Sequence, residues 1–156
     1  MEAQAIFDAL KGKFGDAVVE LQSEGFSPAF VVVAPAAVKE IARFLKDDPA
    51  LSFDSLMCLS GVDYKEKLAV AYHLYSMRLR HAIGVKAYLP PGTPSLPTVD
   101  DVWPTANFHE REAFDLFGIV FDGSKDLRRI LLPEDWEGHP LRKDYKYPDF
   151  YHGIKV

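Results

Sequence analysis

Between Phe108 and Tyr145 the chain gathers the side chains best suited to chemistry. Glu110-Arg111-Glu112 and Asp115 lie in a run of aromatics, Phe108, Phe114, Phe117 and Phe121. Asp126, Arg128, Arg129, His139, Arg142, Lys143, Asp144 and Tyr145 follow. The carboxylates Glu110, Glu112 and Asp115 suggest a divalent-cation site or an acid–base pair, and with it a small metal-dependent hydrolase. Spacing speaks against that reading. Glu110 and Glu112 are two apart and leave a helix on different sides, which is poor geometry for one ion. Arg111 and Asp115 stand at i,i+4 and can pair directly. Glu110 shares a helical face with Ala106, Ala113 and Phe117, so its carboxylate needs a cationic partner, for which Arg128 or Arg129 is the natural candidate. The chemistry expected here is ion pairing that holds an irregular segment or presents it to a partner.

Other sites are weaker. The five histidines, His73, His81, His109, His139 and His152, have no i,i+4 partner among themselves and no zinc spacing. His139, between Gly138 and Pro140, is the best single candidate for a functional histidine, although a turn position contacting a backbone carbonyl explains it as well. His73 reads as a core-edge or interface residue. Cys58, the only cysteine, reads as a small buried hydrophobe that can neither form an internal disulfide nor anchor a metal centre alone. No nucleophile elbow, phosphate loop or dinucleotide fingerprint is present. Between Lys125 and Tyr147 six basic residues face five acidic ones, and the whole chain carries a net charge of −5, so a nucleic-acid groove is not expected. Arginine mixed with aromatics suits protein contact instead.

Those side chains need a scaffold, and 156 residues with 48% hydrophobic content fit one domain with a real core. Ile6, Phe7, Leu10 and Phe14 predict a helix over 3–14, closed by Gly15. Ala17 to Leu21 and Ala29 to Ala34 predict a hairpin with a longer loop. Pro35 opens a helix over 35–47 with a stripe of Val38, Ile41, Ala42 and Leu45. Strands are expected over 53–64, 68–77 and 82–89, the last two as an antiparallel hairpin. Pro90 to Pro97 reads as a break without regular structure, and Thr98-Val99-Asp100-Asp101 as a helix N-terminus. A further helix is expected over 105–117, ended by Gly118. The fold class is therefore α+β: a mixed, largely antiparallel sheet with helices on one face, then a helix and an extended tail. Residues 1–122 make the core domain. Residues 123–156 lack periodicity and are expected to lie on a partner, because a tail without its own core gains little against its ordering entropy. No apolar run reaches the ~18 residues of a membrane span, and no leader peptide is expected.

The run from Phe108 to Ile119, then Asp126 to Pro133, then Glu134 to Tyr145, resembles the C subunit of the proton-pumping NADH–quinone oxidoreductase, respiratory complex I. Phe53-Asp54-Ser55-Leu56, Gly61-Val62-Asp63-Tyr64 and Tyr72 to Ser76 extend the resemblance over most of residues 30–153. Phe108 stands where that family usually has Trp, and Ser124-Lys125 where it usually has His-Pro. The resemblance implies a peripheral-arm subunit on the cytoplasmic side of the cell membrane, with no membrane insertion of its own. It implies no catalytic residue, no metal and no cofactor bound by this chain; NADH, FMN, iron–sulfur clusters and quinone belong to the complex. The implied partner is the D subunit of that complex, which resembles a hydrogenase large subunit. The contact is assigned to Glu110, Arg111, Glu112, Asp115, Arg128, Arg129, His139, Arg142, Lys143, Asp144 and Tyr145. An equivalent component of an energy-converting hydrogenase or a formate-oxidising complex is the alternative.

Overall fold

Period-two alternation in the middle of the chain sets the sheet. In the computed structural model, which describes residues 1–155, Val70, Tyr72 and Leu74 face one side of their strand while Ala71 and His73 face the other. Five strands build that sheet: β1 (Val18–Gln22), β2 (Phe30–Val33), β3 (Ser55–Asp63), β4 (Leu68–Ser76) and β5 (His81–Leu89), in the order β1-β2-β5-β4-β3. The β1–β2, β4–β5 and β3–β4 pairs are antiparallel, and β2–β5 is parallel. The sheet is thus mixed and largely antiparallel, as expected.

Three helices cover one face. The first is α1 (Ala3–Phe14), which buries Ile6 and Leu10. The second is α2 (Val38–Asp47), entered through a 3-10 turn at Pro35, and it buries Val38, Ile41, Ala42 and Leu45. The third is α3 (Ala106–Phe117), closed by Gly118 in the left-handed conformation. Their buried apolar residues join Val31, Val33, Leu59, Val70, Tyr72, Leu74, Ile83 and Val85 in one core. The opposite face receives none of the helices' buried residues. It carries Phe30, Ala71, His73 and Lys86, with the Lys86 ammonium 3.0 Å from Gln22 Oε1 and 4.6 Å from the ring centres of Phe26 and Phe30. Cys58 lies half-buried on this face, beside Ser60, rather than in the core.

Two local expectations are corrected. The proline-rich stretch ends in a strand, β6 (Ser95–Pro97), which pairs in parallel with β7 (Val120–Asp122). Pro97 is tolerated because it stands at the end of a short strand where no ladder donor is required. Residues 98–103 form a turn instead of a helix, with the Val102 and Trp103 N–H groups donating to the Val99 carbonyl, and Pro104 stops it there. Beyond Gly123 the chain has no helix or strand until a small hairpin, β8 (Phe150–Tyr151) and β9 (Ile154–Lys155). His152 and Gly153 turn that hairpin with positive φ at both positions.

Candidate functional site

Helix α3 holds the site at two buried carboxylates, each satisfied in a different way. Glu110 is fully buried, as its apolar neighbours Ala106 and Ala113 dictate. No cation reaches it. Thr98 Oγ1 donates to Oε2 at 2.6 Å and the Val99 N–H to Oε1 at 2.8 Å. The expected partner, Arg128 or Arg129, is replaced by a hydroxyl and an amide from the turn after β6. Burial pushes the carboxyl up to about 7 against the pull of those two donors, and Asp100 and Asp101 push the same way. The Tyr72 hydroxyl, also fully buried, has no hydrogen-bond partner among the described residues. Burial, and then the charge of Glu110, hold its pKa well above the phenol range.

Asp115 is equally buried but richly paired. Oδ2 accepts the backbone N–H groups of Ile130, Leu131 and Leu132 at 3.1, 2.7 and 2.9 Å, and Oδ1 takes Arg129 Nη1 at 2.8 Å. Burial opposes its ionisation, yet these donors together hold the carboxyl below its ordinary range. The i,i+4 pair of Arg111 with Asp115 does not form. Arg111 turns to the carbonyls of Arg128 and Arg129, at 3.3 and 3.0 Å, with Asp126 at 3.9 Å. A single guanidinium could not offer Asp115 what three consecutive amides and Arg129 supply.

The segment after Gly123, expected to lie on a partner, is thus also bonded to its own domain. Arg129 also donates to the carbonyls of Asp115, Trp136 and Gly138. His139 Nδ1 lies 2.9 Å from the Asp115 carbonyl, so that nitrogen carries the proton. This is the turn contact expected of His139. The Leu141 N–H reaches the Leu116 carbonyl, Arg142 Nη2 the Pro91 carbonyl at 2.7 Å, and the Lys143 N–H Asp63 at 2.8 Å. Tyr145 accepts from Trp136 Nε1 at 3.0 Å and donates to the Glu137 carbonyl at 3.1 Å. Asp144 is exposed, with Arg142 Nε 3.4 Å away. Thr98 and Val99 read in the sequence as a helix start and Asp63 as part of a matching run, so none of the three pointed to the contacts they make with the site.

Glu110, Glu112 and Asp115 are not brought together: Glu112 is exposed, and among the described residues no three His, Cys, Asp or Glu side chains could hold a metal ion. The hydrolase reading loses its site. What remains outward is a rim around the knot. Phe108 is 62% exposed with Arg111 against its ring, and the Arg128 side chain is 63% exposed beside Asp126. Leu131 and Leu141 are also exposed.

The class is thus an α+β domain with a one-sided sheet, whose last helix is tied by Glu110 to the turn after β6 and by Asp115 to the irregular segment that follows. The family described as respiratory-chain NADH dehydrogenase, 30 kDa subunit, matches residues 31–151, and the chain belongs to it. The NADH-quinone oxidoreductase C subunit of Chlorobium phaeobacteroides is 50% identical over 158 residues, covering 99% of this chain and 95% of that one. Its counterpart in Chloroherpeton thalassium is 47% identical over 152 residues, covering 96% of this chain; the chain spans 63% of that relative's length. Among solved structures, a trypsin-resistant fragment of Nqo5 superposes with a TM-score of 0.67 at 32% identity, covering 81% of this chain and all of that one. A chain of the membrane-bound sulfane sulfur reductase, an archaeal respiratory membrane complex, gives 0.74 at 23% identity over 92% and 85%, a likeness of fold alone.

Proposed function

We propose that this chain is a non-catalytic peripheral-arm subunit of a proton-translocating NADH–quinone oxidoreductase, supporting the region where quinone is reduced. It sits on the cytoplasmic side of the cell membrane through its partners; among the described residues no helix is long and apolar enough to cross a membrane. The D subunit, which resembles a hydrogenase large subunit, is the neighbour it holds. Flavin, iron–sulfur clusters, NADH and quinone are bound by other subunits.

The observation that carries this reading is how the charged knot is spent. Glu110, Arg111, Asp115 and Arg129 satisfy the fold's own backbone and turns. The side chains left outward include Phe108 and Arg128, an aromatic and an arginine of the kinds enriched at interfaces, flanked by the exposed Leu131 and Leu141. The interface thus moves from the buried charges to the rim that they brace. Purification of the tagged chain from detergent-solubilised membranes tests it. The chain is expected to bring down NADH:quinone reductase activity and the D subunit in fixed proportion. Recovery of hydrogenase or formate-oxidising activity, or of the chain alone, would overturn the reading.

A further inference from the structure

Strand β3 is an edge of the five-stranded sheet, held by another segment only at its last residue, where the Lys143 N–H donates to Asp63. Its nine residues, Ser55 to Asp63, contain no lysine, arginine or proline, and the one acid, Asp63, ends the strand. Among the described residues no hydrogen bond reaches the outer side of the strand between Ser55 and Val62. The other edge, β1, is only five residues long and carries Glu20 at its centre. Sheet proteins ordinarily blunt an exposed edge with charge, proline, a bulge or a covering segment. Here the single irregularity, between Leu56 and Cys58, disturbs only one end.

A groove of about 180 Å³ runs between this strand and α3, lined by Leu59, Gly61, Ala113, Phe117, Leu141 and Glu112. Its floor is apolar because Gly61 lets the Phe117 ring close against the strand: a Cβ at Gly61 would meet that ring at 2.6 Å. Its rim carries one exposed carboxylate, Glu112, for which no ion pair forms among the described residues. An extended backbone alone can use the open donors and acceptors of the edge, and an apolar side chain on it fills the groove.

We infer that β3 accepts an extended segment of a neighbouring subunit as a sixth strand, with an apolar side chain in the groove and a basic one beside Glu112. Charge favours a basic segment over a second copy of β3, whose nine residues include no lysine or arginine to set beside Glu112. The inference rests on the subunit reading above, and it places a second contact on the Leu141 side of the rim.

Hydrogen exchange of β3 in the isolated chain and in the complex purified through it decides the matter. In an antiparallel edge strand alternate amides point away from the sheet. Those amides are expected to exchange rapidly in the isolated monomer and to slow by about tenfold or more in the complex. Glu112→Lys is expected to weaken that protection while leaving the melting temperature of the isolated chain unchanged. A complex that forms with full activity while the outward β3 amides stay fast overturns the inference and leaves the subunit reading intact. Protection that grows with concentration in the isolated chain makes the occupant a second copy and also overturns it. Failure to recover any respiratory complex removes the subunit reading and the inference together.

Discussion

Glu110 and Asp115 are buried on one helix, and the fold treats them in opposite ways. Asp115 is neutralised by Arg129 and three amides, so Asp115→Ala strands four donors and should destabilise the isolated chain by ~3–5 kcal/mol in urea unfolding. Arg111→Ala, by contrast, removes donors from two carbonyls that water can partly serve, and should cost ~1–3 kcal/mol. Glu110 has no cation, and its carboxyl, pushed from 4.5 to about 7, binds a proton more tightly in the fold than in the unfolded chain. Its contribution is therefore complete below pH 4.5 and is lost as pH rises through 7, by about 3 kcal/mol in all. Asp115 works the other way: its native pKa is lowered, so its contribution is present above the unfolded value and lost as pH falls through the native one. Through Glu110, stability should decline as pH rises through about 7, and Glu110→Gln should flatten that decline. A wild-type profile already flat from about pH 5 to 8 would contradict this role of Glu110. The buried position of Glu110 was legible from Ala106 and Ala113 at helical spacing. Its partners were not, because a threonine hydroxyl reads locally as a helix cap and only the return of β6 beside α3 turns it toward the carboxylate.

Among the elements, the two hairpins and all three helices follow from periodicity, and helix ends from Gly15, Pro35 and Gly118, whereas the strand order with β2 parallel to β5 does not. What periodicity could not show was β6, since three residues among prolines carry no alternation; that strand exists because β7 returns beside it. The segment after Gly123 was equally hidden. It has no apolar stripe because α3 holds it through backbone amides and polar side chains, Arg129, His139 and Arg142, not through apolar side chains that a periodic pattern would display. Amides of Ile130, Leu131, Leu132, Leu141 and Lys143 should accordingly be protected from exchange in the isolated monomer, and Asp115→Asn should release the first three. Rapid exchange at all five in the wild type would mean that the segment is ordered only by a partner. Gly118 joins the two parts. It has φ +72°, and a Cβ there would meet the His139 ring at 2.6 Å. Gly118→Ala should cost more than ~1 kcal/mol and should loosen the amides around His139 before those of the sheet.

Taken whole, the molecule is a one-sided sheet with a braced C-terminal segment, in a family whose members are subunits of a respiratory enzyme. The isolated chain is expected to be colourless and to hold no stoichiometric metal or flavin; iron or zinc near one per chain after preparation without metal-affinity resin would contradict a purely scaffolding role. Buried charges brace the domain, and the proposed function gives the exposed rim the docking of a partner. The double variant Phe108→Asp with Arg128→Glu, followed both as an isolated protein and in membranes, separates those two roles. Both side chains are more than half exposed, so the isolated variant should melt within a degree or two of the wild type, surface changes of this kind costing at most ~0.5 kcal/mol. In membranes it should fail to enter the complex, with NADH:quinone reductase activity falling in proportion. A variant that assembles normally and sustains wild-type activity would show that this rim is ordinary surface.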